Sequence, residues 1–526
     1  MNDPFQINRR MVLLSAVLVF VIVLISGGIS VYVFSDRELI GAISWTTVAL
    51  DVHERYPTQL DWDALLDRAM DAMMARLDRY SGYVEREQLE QMDEELTGSY
   101  YGIGVSIIEH SQGLLIMSVR EHGPAAGAAL LTGDIILKAD TASLAELTGI
   151  EASQLLRGPE GTPVDLTVYR PTTDDTTTVT VTRRRIDLMH IPFAGFTPDS
   201  MLYLRLLDFD AGAAEDTRKA LDSLLEPGKP QARGIILDLR GNPGGLFSEA
   251  YRTADLFLED GQLIVGTDAR SQWDSESYRS SGKDMTDNLP MAVVVDRGTA
   301  SAAEIVAGSL RELGRAVLIG DTTFGKGLVQ GFARLGDGSG LRLTISRYYL
   351  QGGIYLNEFD STLNDIGHGL VPDHYFSFIN RHEFPRRLEN SLLLQEFAIA
   401  NEEEIIASGP EFRLGDQWVD RFKEFADDNE FSFVSRATRG ASLLVDIARL
   451  DRARVQTYKL CKQLHGLSQK HDLKQFSKYA DYIKMRLKQV AYERRFGIYR
   501  AYADAVIQER TEIRLAARIL QAERPD

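Results

Sequence analysis

The sequence predicts a multidomain α/β protein in five parts: an N-terminal transmembrane helix, a helical neck, a small β module, an α/β core and an α-helical C-terminal region. Three observations carry that expectation. One uncharged run near the N-terminus is long enough to cross a bilayer. A block of short β-type runs punctuated by Gly, Pro and Asp follows. Strands then alternate with helical stretches in the βα order of a layered domain. The length agrees, since 526 residues make roughly three to four domains.

The uncharged run is residues 11–34, which as a helix would reach about 36 Å, against a hydrocarbon core of about 30 Å. Arg9 and Arg10 precede it, and Asp36, Arg37 and Glu38 follow, so the positive-inside bias places the short N-terminus in the cytoplasm and the remainder outside. A cleaved signal peptide is the competing reading. The run is longer than a usual h-region and ends without an A-x-A site, so residues 1–36 are expected to be a cytoplasmic tail and a retained anchor.

Residues 37–97 are expected to form the neck. LLDRAMDAMMARLD carries helical spacing, LDRYSGY (residues 77–83) breaks it with a turn, and a second polar helix follows. Residues 98–185 form the β module, with the runs GVSIIE, LLIMSV, DIILKAD, VDLTVYR and TTTVTVTRR. Residues 186–382 form the α/β core, in which RGIILDLR and MAVVVD alternate with AGAAEDTRKALDSLLE and SAAEIVAGSLRELG. Residues 383–526 are helical and polar. There Leu473, Phe476, Ala480, Ile483, Leu487 and Val490 recur at helical spacing over a span too short for a coiled coil. Packing within the chain and joining of subunits both remain open for that stripe.

Composition excludes several classes. Hydrophobic residues are 44% and charged residues 25% of the chain, the balance of a packed globular protein and not of a disordered one. The net charge of -18 is uneven, because residues 441–526 hold 18 Lys and Arg against 10 Asp and Glu. The body before them is more acidic still, and bulk nucleic-acid binding is not expected of it. Cys461 is the sole cysteine, which excludes an intrachain disulfide and a Cys-based zinc cluster.

Three motifs can carry chemistry. In DRGTASAAEI (residues 296–305) Ser301 follows an apolar strand and opens a helix, where free N–H groups and the positive end of the dipole favour a developing alkoxide and a neighbouring oxyanion. Ser301-Ala-Ala-Glu304 also matches the capping box, in which serine only satisfies a helix end; alone, the motif favours the cap. GDTTFGKG (residues 320–327) fits G-x-x-x-x-G-K, yet Gly327 stands where a P-loop needs Ser or Thr, and a strand pattern follows. The alternative is a glycine-flanked lysine, Lys326, on a tight turn. DLRGNPGGL (residues 238–246) ends a strand in a turn whose N–H groups can face a ligand oxygen or merely reverse the chain.

Their conjunction points to catalysis. A serine nucleophile needs a base, and Lys326 can serve if burial keeps its amine neutral. Moving a lysine from about 10.4 to about 7 takes on the order of 4 to 5 kcal/mol of differential desolvation. Among the nine histidines, only His368 lies within the α/β alternation of residues 201–373, so a Ser/His/Asp triad is the weaker proposal and His368 is expected to be structural.

TASAAEI, then FGKG with its lysine 25 positions after the serine, then Gln330, all preceded by DLRGNPGG, closely resemble the carboxyl-terminal processing, or tail-specific, serine proteases. The resemblance runs from LDRYSGY through YGIGV and GPAAGAALLTGDIIL, which look like a PDZ domain, to GHGLVPD (residues 367–373). It implies a crotonase-like protease core with Ser301 as nucleophile, Lys326 as general base and Gln330 orienting the lysine. The implied oxyanion hole is the N–H groups of Ala302 and Gly244, with Gly245 adjacent to the latter. The implied tail-binding loop is Tyr101, Gly102, Ile103, Gly104 and Val105, since loop N–H groups suit a carboxylate. The resemblance implies no metal or organic cofactor. It implies a bacterial inner-membrane protein with its catalytic part in the periplasm, acting on protein substrates with free C-terminal tails; an adaptor protein and a homo-oligomer are possible partners. Two departures are Gly241 between Arg240 and Asn242, expected to loosen the groove, and TASAAE in place of a more serine-rich motif. The rival readings are a catalytically silent PDZ scaffold and a crotonase-type acyl-CoA enzyme.

Overall fold

The computed structural model describes residues 37–522 save 87, 90–97, 146, 360–364, 379–381, 410–412, 451–454 and 509. The expected span at residues 11–34 lies outside the described residues, and among the described residues no helix is long and apolar enough to cross a membrane. The chain separates into two compact units, Met1–Leu77 and Asp78–Asp526. In the first unit the helices are Arg37–Arg55 and Trp62–Met74. Asp61 caps the second helix by accepting the Ala64 N–H at 3.2 Å.

The second unit begins earlier than the neck was expected to end. Gly82–Val84 is a strand paired antiparallel with Gly340–Leu350, so part of LDRYSGY belongs to the core and not to a neck. Short edge strands such as this one carry too few residues to show a period in the sequence.

The β module follows. Its sheet runs in the order Val105–His110, Gly113–Val119, Ile135–Ala139, Pro163–Arg170 and Asp175–Thr182. Val164, Leu166 and Val168 are buried at alternate positions, as a strand with one face on a core requires. Helix Gly149–Leu156 closes that core through Ala152 and Leu156, and is opened by a Thr148–Glu151 capping box. Ser99–Gly102 and Arg184–Asp187 pair with each other, so the chain enters and leaves the module through one ribbon.

The core is built on a sheet in the order Phe193–Phe196, Met201–Arg205, Gly234–Asp238, Met291–Val295, Val317–Gly320 and His374–Tyr375. The first pair is antiparallel and the rest are parallel. Its central strands, Met201–Arg205, Gly234–Asp238, Met291–Val295 and Val317–Gly320, are mostly apolar runs because both faces are covered. On one face Leu204, Leu237, Val293 and Leu318 pack with Leu221, Ala250 and Val306 of three helices. On the other, Tyr203, Ile236, Val294 and Ile319 meet Ile513, Ala516, Ala517 and Leu520 of the final helix, Thr511–Ala522. The expected boundary at residue 382 is therefore corrected: the last helix completes the core, since a sheet with two apolar faces needs a second cover.

A second sheet centres on Gly340–Leu350, which pairs with Leu328–Arg334 and Leu263–Ala269 as well as with Gly82–Val84. In the C-terminal region Ile483, Leu487 and Val490 are buried with Phe384, Phe397, Trp418 and Phe422 of the same chain. Of the helical stripe read from the sequence, Ile483, Leu487 and Val490 are thus satisfied internally and Phe476 and Ala480 pack against the same cluster, while Leu473 is exposed.

Candidate active site

Strand Met291–Val295 delivers the chain to a bonded turn ahead of helix Ala302–Glu312. Asp296 Oδ1 accepts the N–H groups of Gly298 at 2.9 Å and Gly241 at 2.8 Å. The Thr299 hydroxyl donates to Leu239 O at 2.8 Å, and Ala300 N–H donates to Asn242 O at 3.0 Å. These bonds stitch the serine turn to the turn of DLRGNPGG, and they pin Gly241 rather than leaving it loose. Ser301 itself sits at φ 53°, ψ -119°, a conformation that costs a residue with a Cβ about 1 to 3 kcal/mol and concentrates at functional sites. A Cβ on Gly244 would fall 2.9 Å from both Ala300 O and Ser301 Cβ, so only glycine lets the two turns approach this closely.

The N–H groups of the helix start are accounted for one by one. Ala303 donates to Ala300 O at 3.0 Å, and Glu304 and Ile305 donate to Ser301 O at 2.8 and 3.0 Å. The Ala302 N–H has no acceptor among the described residues. The Gly244 N–H, in contrast, donates to Asn242 Oδ1 at 2.9 Å, so it is engaged within its own turn and is not available as the oxyanion donor expected of it. The adjoining bonds, Phe209 N–H to Gly244 O and Leu246 N–H to Phe209 O, pass over the Gly245 N–H, which has no acceptor among the described residues.

Lys326 follows strand Val317–Gly320 and precedes strand Leu328–Arg334. No helix receives a phosphate there. Burial pushes its amine below the ordinary lysine value and the Arg342 guanidinium pushes it further down, while the Asp78 and Glu304 carboxylates pull it back up. The Tyr80 ring centre lies 4.9 Å from Nζ, and Arg342 Nε holds Tyr80 by donating to its carbonyl at 2.7 Å. Gln330 Nε2 lies 3.4 Å from the Thr344 hydroxyl, which donates to Asp78 Oδ1 at 3.0 Å. The LDRYSGY residues Asp78, Tyr80 and Ser81 thus furnish one wall of the lysine's surroundings. Their motif is visible in the sequence; their destination is not.

The His368 backbone packs against Gly325, next to the lysine, but its side chain does not join this cluster. Its ring is exposed and 3.9 Å from Glu358, while its N–H donates to Leu356 O at 2.8 Å.

In the β module the carbonyls of Ile103 and Gly104 accept from Ala125 at 2.9 Å and Arg120 at 3.0 Å. The N–H groups of these two loop residues have no acceptor among the described residues. Tyr101 and Gly102 belong to the ribbon and Val105 starts the strand Val105–His110, which among the described residues pairs on one side only. A loop with free N–H groups beside an unpaired strand edge is the geometry for adding a peptide strand that ends in a carboxylate.

Two buried side chains escaped notice as site residues. Glu304 was legible only as the end of a capping box, and Tyr348 only as a strand tyrosine. Both touch the backbone of Ser301 and of Lys326.

Comparison with known proteins places these features. The profile of peptidase family S41 matches residues 200–367 and that of the PDZ domain matches residues 102–181. A carboxy-terminal-processing protease of Bartonella bacilliformis is 33% identical over 330 residues, 62% of this chain and 75% of the relative. A carboxyl-terminal-processing protease of Synechocystis sp. is 36% identical over 288 residues, 53% of this chain and 66% of the relative. A solved photosystem II D1 C-terminal processing protease shares 26% identity, with a TM-score of 0.36 over 63% of this chain and 86% of its own. The two profile matches fall on the core and the β module, and they mark a serine peptidase joined to a PDZ domain. The chain belongs to peptidase family S41, among the carboxy-terminal processing proteases.

Proposed function

We propose that the chain is a membrane-anchored serine endopeptidase that cleaves extracytoplasmic proteins after its PDZ domain has captured their free C-terminal tails. The observation that carries the catalytic part is Ser301: a non-glycine residue at φ 53°, opening a helix beside an unengaged Ala302 N–H and tied through buried groups to the loop of a lysine whose amine is depressed. Ser301 Oγ attacks the scissile carbonyl carbon as its proton passes to the neutral amine of Lys326. The oxyanion is met by the N–H groups of Ala302 and, with Gly244 engaged by Asn242, by that of Gly245. The C–N bond breaks as Lys326 returns the proton to the leaving amine, and water then hydrolyses the acyl-serine. Gln330 orients the amine through Oε1, since its Nε2 faces Thr344. Tail capture is assigned to Tyr101, Gly102, Ile103, Gly104 and Val105, through the loop N–H groups and the open strand edge.

The anchor at residues 11–34 and the periplasmic address belong to the same proposal, supported by the length of the uncharged run and its flanking charges. Full-length protein in detergent, mixed with an unfolded reporter ending in free apolar residues, tests the activity. Cleavage that disappears in Ser301→Ala and Lys326→Ala and weakens when the reporter is amidated is the expected result. Tail binding with no cleavage by the unmodified protein would instead favour the silent scaffold.

A further inference from the structure

Glu304 does more than cap its helix. Its side chain is fully buried, and four donors converge on one carboxylate. Oε2 accepts the N–H groups of Ser301 and Lys326, each at 2.9 Å. Oε1 accepts the Gly325 N–H at 2.7 Å and the Thr323 hydroxyl. A capping box needs only the Ser301 bond; the other three donors come from the lysine loop, about twenty residues further on.

The chemistry of the four donors selects the acceptor. Three are backbone N–H groups, which cannot turn round to accept. A neutral acid would have to turn its O–H toward the Thr323 hydroxyl, which then no longer donates to it, and a glutamine would present its NH2 to a backbone N–H. Burial pushes this carboxyl above the ordinary glutamate value while the same four donors pull it down, and only in its ionised form can it accept from all four.

Tyr348 holds the opposite side of the same two residues. Its buried hydroxyl lies 2.7 Å from Lys326 O and 3.3 Å from Ser301 O. Ser301 and Lys326 are therefore both held at N–H by Glu304, and the single Tyr348 O–H donates to Lys326 O with Ser301 O beside it. The helix start and the lysine loop reach the site from different strands, and these two side chains fix their separation.

We propose that Glu304, as a carboxylate, is a positioning residue that sets the distance between the Ser301 turn and the Lys326 loop. This rests on the reading of Ser301 and Lys326 as nucleophile and base. A misplacement of reacting groups by about 1 Å costs on the order of 100-fold in rate, so the effect belongs in kcat and not in KM.

The experiment compares full-length protein with Glu304→Gln, Thr323→Val, Ser301→Ala and Lys326→Ala on the tail-bearing reporter, with kcat, KM and thermal melting recorded for each. Glu304→Gln is expected to lower kcat about 100-fold and to leave KM within about 3-fold. Thr323→Val keeps the side-chain shape but removes one donor to Glu304 together with the acceptor of the Leu370 N–H; it is expected to lower kcat about 10-fold with KM unchanged, and with its melting temperature beside it, it decides the matter if Glu304→Gln does not fold. Unchanged kcat in a folded Glu304→Gln or Thr323→Val, while Ser301→Ala and Lys326→Ala are inactive, would overturn the role of Glu304 and leave the dyad standing. Activity in Ser301→Ala or Lys326→Ala would overturn the dyad and this role with it.

Discussion

Arg240 and Glu512 form a buried ion pair that joins the turn of DLRGNPGG to the last helix of the chain. Arg240 also pairs with Asp238, which Arg205 contacts at 2.8 Å and the Tyr203 hydroxyl at 2.7 Å. Burial opposes ionisation of Asp238, yet the two guanidinium groups outweigh it and hold the carboxyl far below the usual range. The final helix therefore supplies both the cover for one sheet face and a counter-charge beside the site.

The first prediction removes the centre of that cluster. Asp238→Asn leaves Arg205 and Arg240 without their shared carboxylate and should destabilise the protein by about 3 to 5 kcal/mol in urea unfolding. Because the folded pKa is depressed, the stabilisation is present above the unfolded value of about 3.9 and is lost as pH falls below it. The unmodified protein should thus lose stability on acidification below about pH 4 more steeply than the variant. Equal acid sensitivity would contradict the assignment.

Removal of the last helix tests its place in the core. A chain ending before Thr511 uncovers the sheet face formed by Tyr203, Ile236, Val294 and Ile319, an apolar surface that favours aggregation. Loss of cooperative melting and of solubility is expected. A monodisperse, active truncated protein would show that the helix is dispensable.

The pH dependence of activity reports on Lys326. With the neutral amine as the proposed base, kcat should rise with pH through a midpoint below the ordinary lysine value of about 10.4. Arg342 lowers that midpoint, so Arg342→Gln lets Lys326 keep its proton to higher pH. The variant's profile should move in the alkaline direction, with activity lost at neutral pH and regained above it. A shift toward acid, or none, would remove Arg342 from the base's electrostatics.

Gly104 offers a test confined to the PDZ domain. It stands at φ 78°, and a Cβ there would lie 3.1 Å from Ile186 Cδ1. Gly104→Ala should strain the loop by about 1 to 2 kcal/mol. Binding of a fluorescent C-terminal peptide should weaken about 10-fold as the loop adjusts, while Ser301 should still react with a small fluorophosphonate at the unmodified rate. Unchanged peptide affinity would place the tail elsewhere.

Much of the site was legible in the sequence. The strand before Ser301 and the helix after it, the glycine-flanked Lys326 and the PDZ loop all lie within short segments whose residue types dictate local geometry. The proposed oxyanion donor was less so: Gly244 and Gly245 are equivalent as letters, and the bond from Gly244 to Asn242 Oδ1 separates them.

By itself the sequence marked Ser301 and Lys326 as candidate nucleophile and base and the βα alternation of a layered core, and through its resemblance to a family it pointed to a tail-binding loop. Tertiary structure alone decided that Gly82–Val84 and Thr511–Ala522 complete that core, and that Glu304 holds Ser301 and Lys326 through one oxygen. Periodicity and capping rules describe neighbours along the chain. They reveal that an apolar face needs a cover or a buried carboxylate needs donors, and only the folded chain reveals which distant segment supplies them.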